Sequence, residues 1–144
     1  MIAVDTNILV YAHRDDATFH EKARMSVESL AHAKSQWAIP WPCVHEFIAV
    51  VTHARIFKRP TPLAIAVAEI RGLTALSNLS FLSEGDGYLE RLETLAINAK
   101  IQGGAVHDAR VAAICLYHGV SELWSADRDF TRFPALTVHN PLTD

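Results

Sequence analysis

Short apolar runs that alternate with helical stretches constrain this chain more than any other feature. Residues 2–4, 37–40, 79–82 and 122–125 read as strands, and 136–139 offers a fifth. Between them apolar residues recur at helical spacing: Ala23, Val27, Leu30 and Ala31 within 20–34, and Leu89, Leu92, Leu95 and Ala96 within 88–102. Further helices are expected over 8–13, 42–54, 63–76 and 106–118. Pro42 suits a first helical turn, where a missing N–H costs nothing. Gly103-Gly104 and Gly119 suit helix stops. Strands alternating with helices imply a parallel sheet with helices on both faces. A length of 144 residues is that of one domain, so a single domain over 1–144 is expected.

The first strand ends abruptly. Ile2-Ala3-Val4 is followed by Asp5-Thr6-Asn7, and then Ile8-Leu9-Val10-Tyr11 resumes the apolar character. Thr6 and Asn7 are good helix caps, since their side-chain oxygens accept from free N–H groups of the first turn. Asp5 then sits at the carboxyl end of a buried strand, where ligands bind in open parallel sheets. Simple capping is the competing account of Asp5.

Three more acids share its setting. Glu46, Asp108 and Asp127 each lie in or beside a strongly apolar segment, and only Asp127 has an adjacent Lys or Arg, Arg128. Burying a carboxylate without compensation is costly. Four such acids in one small core point to a cation that satisfies them jointly. Oxygen-only ligands favour a hard ion such as Mg²⁺ or Mn²⁺. If the sheet is parallel, all four acids reach one edge: Asp5 and Asp127 follow strands, and Asp108 and Glu46 lie early in helices.

Composition narrows the class. Half the residues are hydrophobic and a fifth charged, as in a soluble globular chain. No apolar run approaches the ~18 residues of a membrane span, and the N-terminus lacks the basic region of a signal peptide. Cys43 and Cys115 form no CxxC pair, which fits two buried thiols in a reduced cytoplasm. Setting aside the four candidate site acids leaves twelve of the sixteen Asp and Glu against thirteen Lys and Arg. The remaining surface is near neutral, so any nucleic acid would be held by local basic clusters.

The stretches Val4-Asp5-Thr6-Asn7, His45-Glu46-Phe47, His107-Asp108-Ala109 and Ser125-Ala126-Asp127-Arg128-Asp129-Phe130 resemble, in order, those of PIN-domain nucleases, specifically VapC-like toxins of type II toxin–antitoxin pairs. Phe133-Pro134-Ala135-Leu136 and Asn140-Pro141-Leu142 resemble one subgroup of these toxins. The resemblance covers nearly the whole chain and is least specific over 55–87. It implies a three-layer α/β/α fold around a mostly parallel sheet of four or five short strands. It also implies a Mg²⁺- or Mn²⁺-dependent endoribonuclease in which water, not the 2′-hydroxyl, attacks, leaving 5′-phosphate and 3′-hydroxyl ends. Asp5, Glu46, Asp108 and Asp127 are carried over as the catalytic acids, with Asp5, Asp108 and Asp127 on the metal. Thr6, Asn7 and Ser125 match supporting positions. Asp129 is either the fourth site acid in place of Asp127 or the cap of a turn around Phe130. The expected partners are an RNA substrate, a cognate antitoxin and a second copy of the chain, with no membrane.

Two other classes of protein compete with this resemblance. A haloacid-dehalogenase-like phosphatase also opens with a strand and a nucleophilic Asp, but wants a second Asp where Asn7 stands. A catalytically silent PIN-like binding module would be expected to have lost acids. His45 and His107 flank site acids and are expected to orient or pack at the rim. Arg55, Lys58 and Arg59 form the one basic cluster, either an RNA contact or a solvated loop. Trp37, Trp41 and Trp124 are expected to pack rather than stack on bases. Ile48, Val51, Ile65 and Val67 are candidate exposed positions for a partner's groove.

Overall fold

The computed structural model describes residues 1–143; Asp144, the last residue of the expected domain, lies outside them. The chain runs β1 (Ile2–Val4), α1 (Thr6–His13), α2 (His20–His32), β2 (Trp37–Pro40), α3 (Trp41–Val51), α4 (Leu63–Thr74), β3 (Leu79–Leu82), α5 (Tyr88–Asn98), α6 (Ala105–Tyr117), β4 (Glu122–Trp124), a 3-10 turn (Arg128–Arg132) and β5 (Val138–His139). Five strands form one sheet in the order β3-β2-β1-β4-β5, and every pairing is parallel. The expected "mostly parallel" sheet is therefore parallel throughout, flanked by six helices in three layers.

The burial of each strand follows its place in the sheet. Strand β2 lies between β1 and β3, and all four of its residues, Trp-Ala-Ile-Pro, are buried. A strand covered on both faces reads as a continuous apolar run. Strand β3 is at an edge and buries only Leu82 fully. Trp37 fills the core, with its indole N–H donating to Asn78 Oδ1 at 3.3 Å. Trp41 is partly exposed and stacks on Phe81 with centroids 4.8 Å apart. Trp124 donates to Glu122 Oε1 at 2.7 Å, so all three rings have intramolecular partners.

Helix ends deviate from the expected bounds for local reasons. Helix α6 stops where expected: Gly119 has φ +69°, the Val120 N–H reaches the Cys115 carbonyl and the Gly119 N–H that of Leu116. This double closure satisfies the last carbonyls of the helix. Helix α5 ends at Asn98, well before Gly103-Gly104, because Lys100 takes up the left-handed conformation with φ +52°. The Ile101 N–H then bonds the Ala96 carbonyl and closes the same kind of cap.

Topology determines where the site lies. The chain proceeds from β1 outward to β2 and β3, then returns to place β4 on the other side of β1. The carboxyl ends of β1 and β4 thus flank the point where the strand order reverses, the place where ligands bind in such sheets. Helices α1 and α3 start directly after β1 and β2, so their N-termini lie at that edge. Helix α6 runs back toward the start of β4, so its N-terminus lies there too.

A candidate metal centre at the carboxyl edge

Asp5 ends β1 and caps α1. Its backbone is extended, its carboxyl group is buried, and its Oδ1 accepts the Thr6 N–H at 2.8 Å. The cap therefore falls one residue before the expected Thr6 or Asn7, because the strand passes straight into the helix. Thr6 and Asn7 occupy the first turn, and their side chains serve the acids. Asn7 Nδ2 donates to Asp5 Oδ2 at 3.2 Å, and the Ser125 hydroxyl donates to the same oxygen at 2.7 Å. The Cys43 thiol donates to Asp5 Oδ1 at 3.4 Å. Cys43 is a buried core thiol as expected, but it is not inert in bonding.

The segment after β4 is tied to α1 by the same groups. Asn7 Oδ1 accepts the Ala126 N–H at 3.0 Å, and Ser125 Oγ accepts the Asp127 N–H at 3.0 Å. Asp127 Oδ1 in turn accepts the Asp129 N–H at 2.8 Å and caps the 3-10 turn. The alternative in which Asp129 caps that turn is thereby corrected: the acid before the turn has the extended backbone a cap requires. Asp129 is exposed and pairs loosely with Arg132 at 3.8 Å.

Asp5, Glu46, Asp108 and Asp127 all line one cleft of about 740 Å³. Glu46 is exposed on α3, and its Oε2 accepts the Thr6 hydroxyl at 3.1 Å. Asp108 lies in the first turn of α6. One oxygen each of Asp108, Asp127 and Asp129 lies within 4.8 Å of the others. Asp5 is in no carboxylate trio that close among the described residues, and Asp129 does not line the cleft. Both candidates for the fourth acid thus stand beside Asp108, but only Asp127 faces the cavity. His45 and His107 are exposed on its rim.

The cluster carries unbalanced negative charge. Among the described residues no Lys or Arg is ion-paired to Asp5, Glu46, Asp108 or Asp127. Burial pushes the Asp108 carboxyl up to about 6, and the charges of Asp127, Asp5, Asp129 and Glu46 push the same way. Burial also raises Asp5, opposed by the bonds from Ser125, Thr6 and Cys43, with Glu46 adding to the rise. The Cys43 thiol is held well above its usual range by burial and by the neighbouring Asp5 charge. Arg110 also lines the cleft but is paired with Glu84, so the crowded carboxylate oxygens are left without an ion-paired Lys or Arg, which fits a hard divalent cation that takes oxygen ligands.

One expectation about surfaces is revised. Val51 is completely buried and takes no part in an exposed groove, whereas Ile65 and Val67 are exposed and Ile48 is half-buried. Of the apolar residues in the cleft lining, Val10, Tyr11, Ile56 and Phe57 were not singled out from the sequence as part of a site. The signal was present in α1, where Val10 and Tyr11 follow Asn7 at helical spacing.

This fold, with its acids gathered at the strand-order reversal, defines a class. The PIN domain family profile matches residues 2–136. Relatives match almost end to end. VapC ribonuclease Mb2897 of Mycobacterium bovis is 35% identical over 142 residues, covering 99% of this chain and 96% of that protein. Ribonuclease VapC48 of Mycobacterium tuberculosis is 29% identical over 139 residues, covering 96% of each. Among solved structures, VapBC2 from Rickettsia felis bound to a promoter DNA fragment superposes with a TM-score of 0.69 at 21% identity, covering 97% of this chain and 98% of that one. VapC20 of Mycobacterium tuberculosis, a Sarcin-Ricin loop cleaving toxin, superposes with a TM-score of 0.68 at 17% identity, covering 91% and 93%. The chain belongs to the PIN domain family, within the group of VapC ribonucleases. The phosphatase alternative fails on both grounds: the family is different, and Asn7 bridges α1 to the segment after β4 instead of leaving a place for a second acid.

Proposed function

We propose that this protein is the toxin of a type II toxin–antitoxin pair, an endoribonuclease that hydrolyses RNA phosphodiester bonds with Mg²⁺ or Mn²⁺. The observation that carries this reading is the carboxylate cluster, with oxygens of Asp108 and Asp127 within 4.8 Å of each other and Asp5 and Glu46 in the same cleft, none of the four ion-paired to a Lys or Arg among the described residues. The relatives are named as VapC ribonucleases, which supplies the substrate class.

We assign Asp5, Asp108 and Asp127 to hold the cation, with Asp129 as a nearby auxiliary charge. When bound, the cation supplies Lewis-acid activation of water and offsets charge on the phosphate and the leaving oxygen. The chain's own groups do the rest. Asp5 is held by four donors, from Thr6, Asn7, Cys43 and Ser125, and so keeps a single orientation. Thr6 holds Oε2 of Glu46, which leaves Oε1 to orient the attacking water and take its proton. The products carry 5′-phosphate and 3′-hydroxyl ends.

The partner reading follows the same charge. VapBC complexes are among the solved structures with this fold, so an antitoxin is the partner we assign, together with a second copy of the chain. An antitoxin Arg entering the cleft would bond a carboxylate pair in bidentate fashion and compete with the cation. A single domain over 1–144 and a cytoplasmic location complete the proposal. One sheet holds every described strand, both cysteines are free and buried, and no helix of the described residues is long and apolar enough to cross a membrane.

The test is cleavage of a structured RNA by purified protein. Cutting should require Mg²⁺ or Mn²⁺, stop with EDTA and be abolished by Asp5→Asn, with the fold retained. Full activity in EDTA, or in Asp5→Asn, overturns the mechanism.

A further inference from the structure

The acidic cleft contains a guanidinium of its own. Arg110 lines the same cavity as Asp5, Glu46, Asp108 and Asp127, and stands two residues after Asp108 on α6. Its Nε donates to Glu84 Oε1 in a direct ion pair between half-buried side chains. Among the described residues the guanidinium makes no other hydrogen bond, so both of its terminal amino groups stay available. The pair stays charged: the guanidinium holds the Glu84 carboxyl below its usual range, against an opposing effect of burial. Glu84 does not line the cleft. The pair therefore draws the guanidinium away from the carboxylates that do.

Glu84 is itself held in place. It lies in the loop between β3 and α5, and that loop is closed onto the far end of α6. His118 Nε2 donates to the Ser83 carbonyl at 2.9 Å. Gly85 packs so closely on the Tyr117 ring that a Cβ there would collide with it. The residues on each side of Glu84 are thus fixed by the helix that carries Asp108 and Arg110.

Charge decides what the pair prevents. The four acids of the cleft have no Lys or Arg partner among the described residues. A guanidinium is always charged, and its planar fork matches a carboxylate through two parallel N–H···O bonds. Released from Glu84, Arg110 would turn to those acids and take oxygens that a cation needs.

We propose that Glu84 is a positioning residue that keeps the cleft's own arginine off the cation site, and that without it Arg110 competes with the cation from within the chain. This rests on the reading of the acids as a cation site and deepens it by naming what keeps that site open.

The test is Mn²⁺ affinity, by titration calorimetry, of the wild type, Glu84→Ala, Arg110→Gln and the double variant, with thermal melting to check that each is folded. Glu84→Ala should bind Mn²⁺ about tenfold more weakly or worse, within the range seen for groups that support metal ligands. Arg110→Gln breaks the same pair, yet should bind Mn²⁺ at least as tightly as the wild type. In its background Glu84→Ala should cost little. A pair that only braces the fold predicts a loss in Arg110→Gln, and a carboxylate that only adds negative potential predicts the same loss in both backgrounds. Either result, or no loss in Glu84→Ala, overturns the proposal. In metal-free crystals of Glu84→Ala the Arg110 guanidinium should lie against a carboxylate of the cleft; an Arg110 that keeps its wild-type place also overturns it. If the wild type binds no Mn²⁺, the cation reading fails and this inference falls with it. Mn²⁺ binding with equal losses contradicts the role of Glu84 alone. RNA cleavage is scored separately, so a failure of the nuclease reading shows by itself.

Discussion

Ser125 donates to Asp5 and accepts from the Asp127 N–H, so one hydroxyl couples the ends of β1 and β4. Groups that orient metal ligands in this way typically matter about 10–100-fold for metal affinity. Ser125→Ala should therefore weaken Mn²⁺ binding by about that factor while leaving the fold intact, as measured by titration calorimetry. The position of Asp108 gives a pH dependence of unusual sign. Its folded pKa, about 6, lies above the ordinary 3.8, so the folded state binds more protons than the unfolded state between these values. Its contribution is most favourable below about pH 4 and is lost as pH rises through 6. Metal-free protein should melt higher at pH 5 than at pH 7, and Asp108→Asn should reduce that difference and raise the pH 7 midpoint. A wild-type and variant pair with identical pH profiles would show that Asp108 is not crowded. Asp127→Asn should impair cleavage more than Asp129→Asn, since only Asp127 faces the cleft. The gathering of Asp5, Glu46, Asp108 and Asp127 in one cleft was legible in sequence, because carboxylates in apolar stretches demand compensation. The Cys43 bond was not, because it depends on how closely the first turn of α3 docks beside the end of β1.

Helix caps show the same division at the scale of elements. Gly119 was readable as a stop, since glycine adopts a positive φ without penalty. The end of α5 was not, because Lys100, an ordinary residue, takes the left-handed position and the glycines come later. The two caps should respond oppositely. Lys100→Gly should stabilise the protein by about 1 kcal/mol, and Gly119→Ala should destabilise it by a similar amount, by chemical denaturation. A loss of stability in Lys100→Gly would mean that the lysine side chain contributes more than its backbone costs. Strand positions were legible almost to the residue, since buried β-rich runs are short and bounded by polar groups. Helices were overextended by a few residues where their last turns carry no breaker. The packing of the Arg14 guanidinium 4.1 Å from the centre of the Phe57 ring, in the loop after α3, was invisible, because a cation in Arg14-Asp15-Asp16 reads as solvated until the fold lays Phe57 over it.

At the scale of the molecule, the order of strands does most to place the function. A parallel sheet whose order reverses between β1 and β4 brings Asp5, Ser125 and Asp127 together, although 120 residues separate Asp5 from Ser125. Parallel pairing was legible in the alternation of elements; the closeness of Asp129 to Asp108 was not, since it arises from the tight 3-10 turn that Asp127 caps. If a small reading frame neighbours this gene, its product co-expressed with the chain should bind and suppress RNA cleavage; tight binding without suppression would refute inhibition through the acidic cleft. The central claim is that the carboxylates share a cation, and anomalous diffraction from Mn²⁺-soaked crystals tests it most directly. A peak is expected in the cleft at about 2–2.5 Å from oxygens of Asp108 and Asp127, lost in Asp108→Asn crystals. An empty cleft, or a peak that survives Asp108→Asn undiminished, contradicts it.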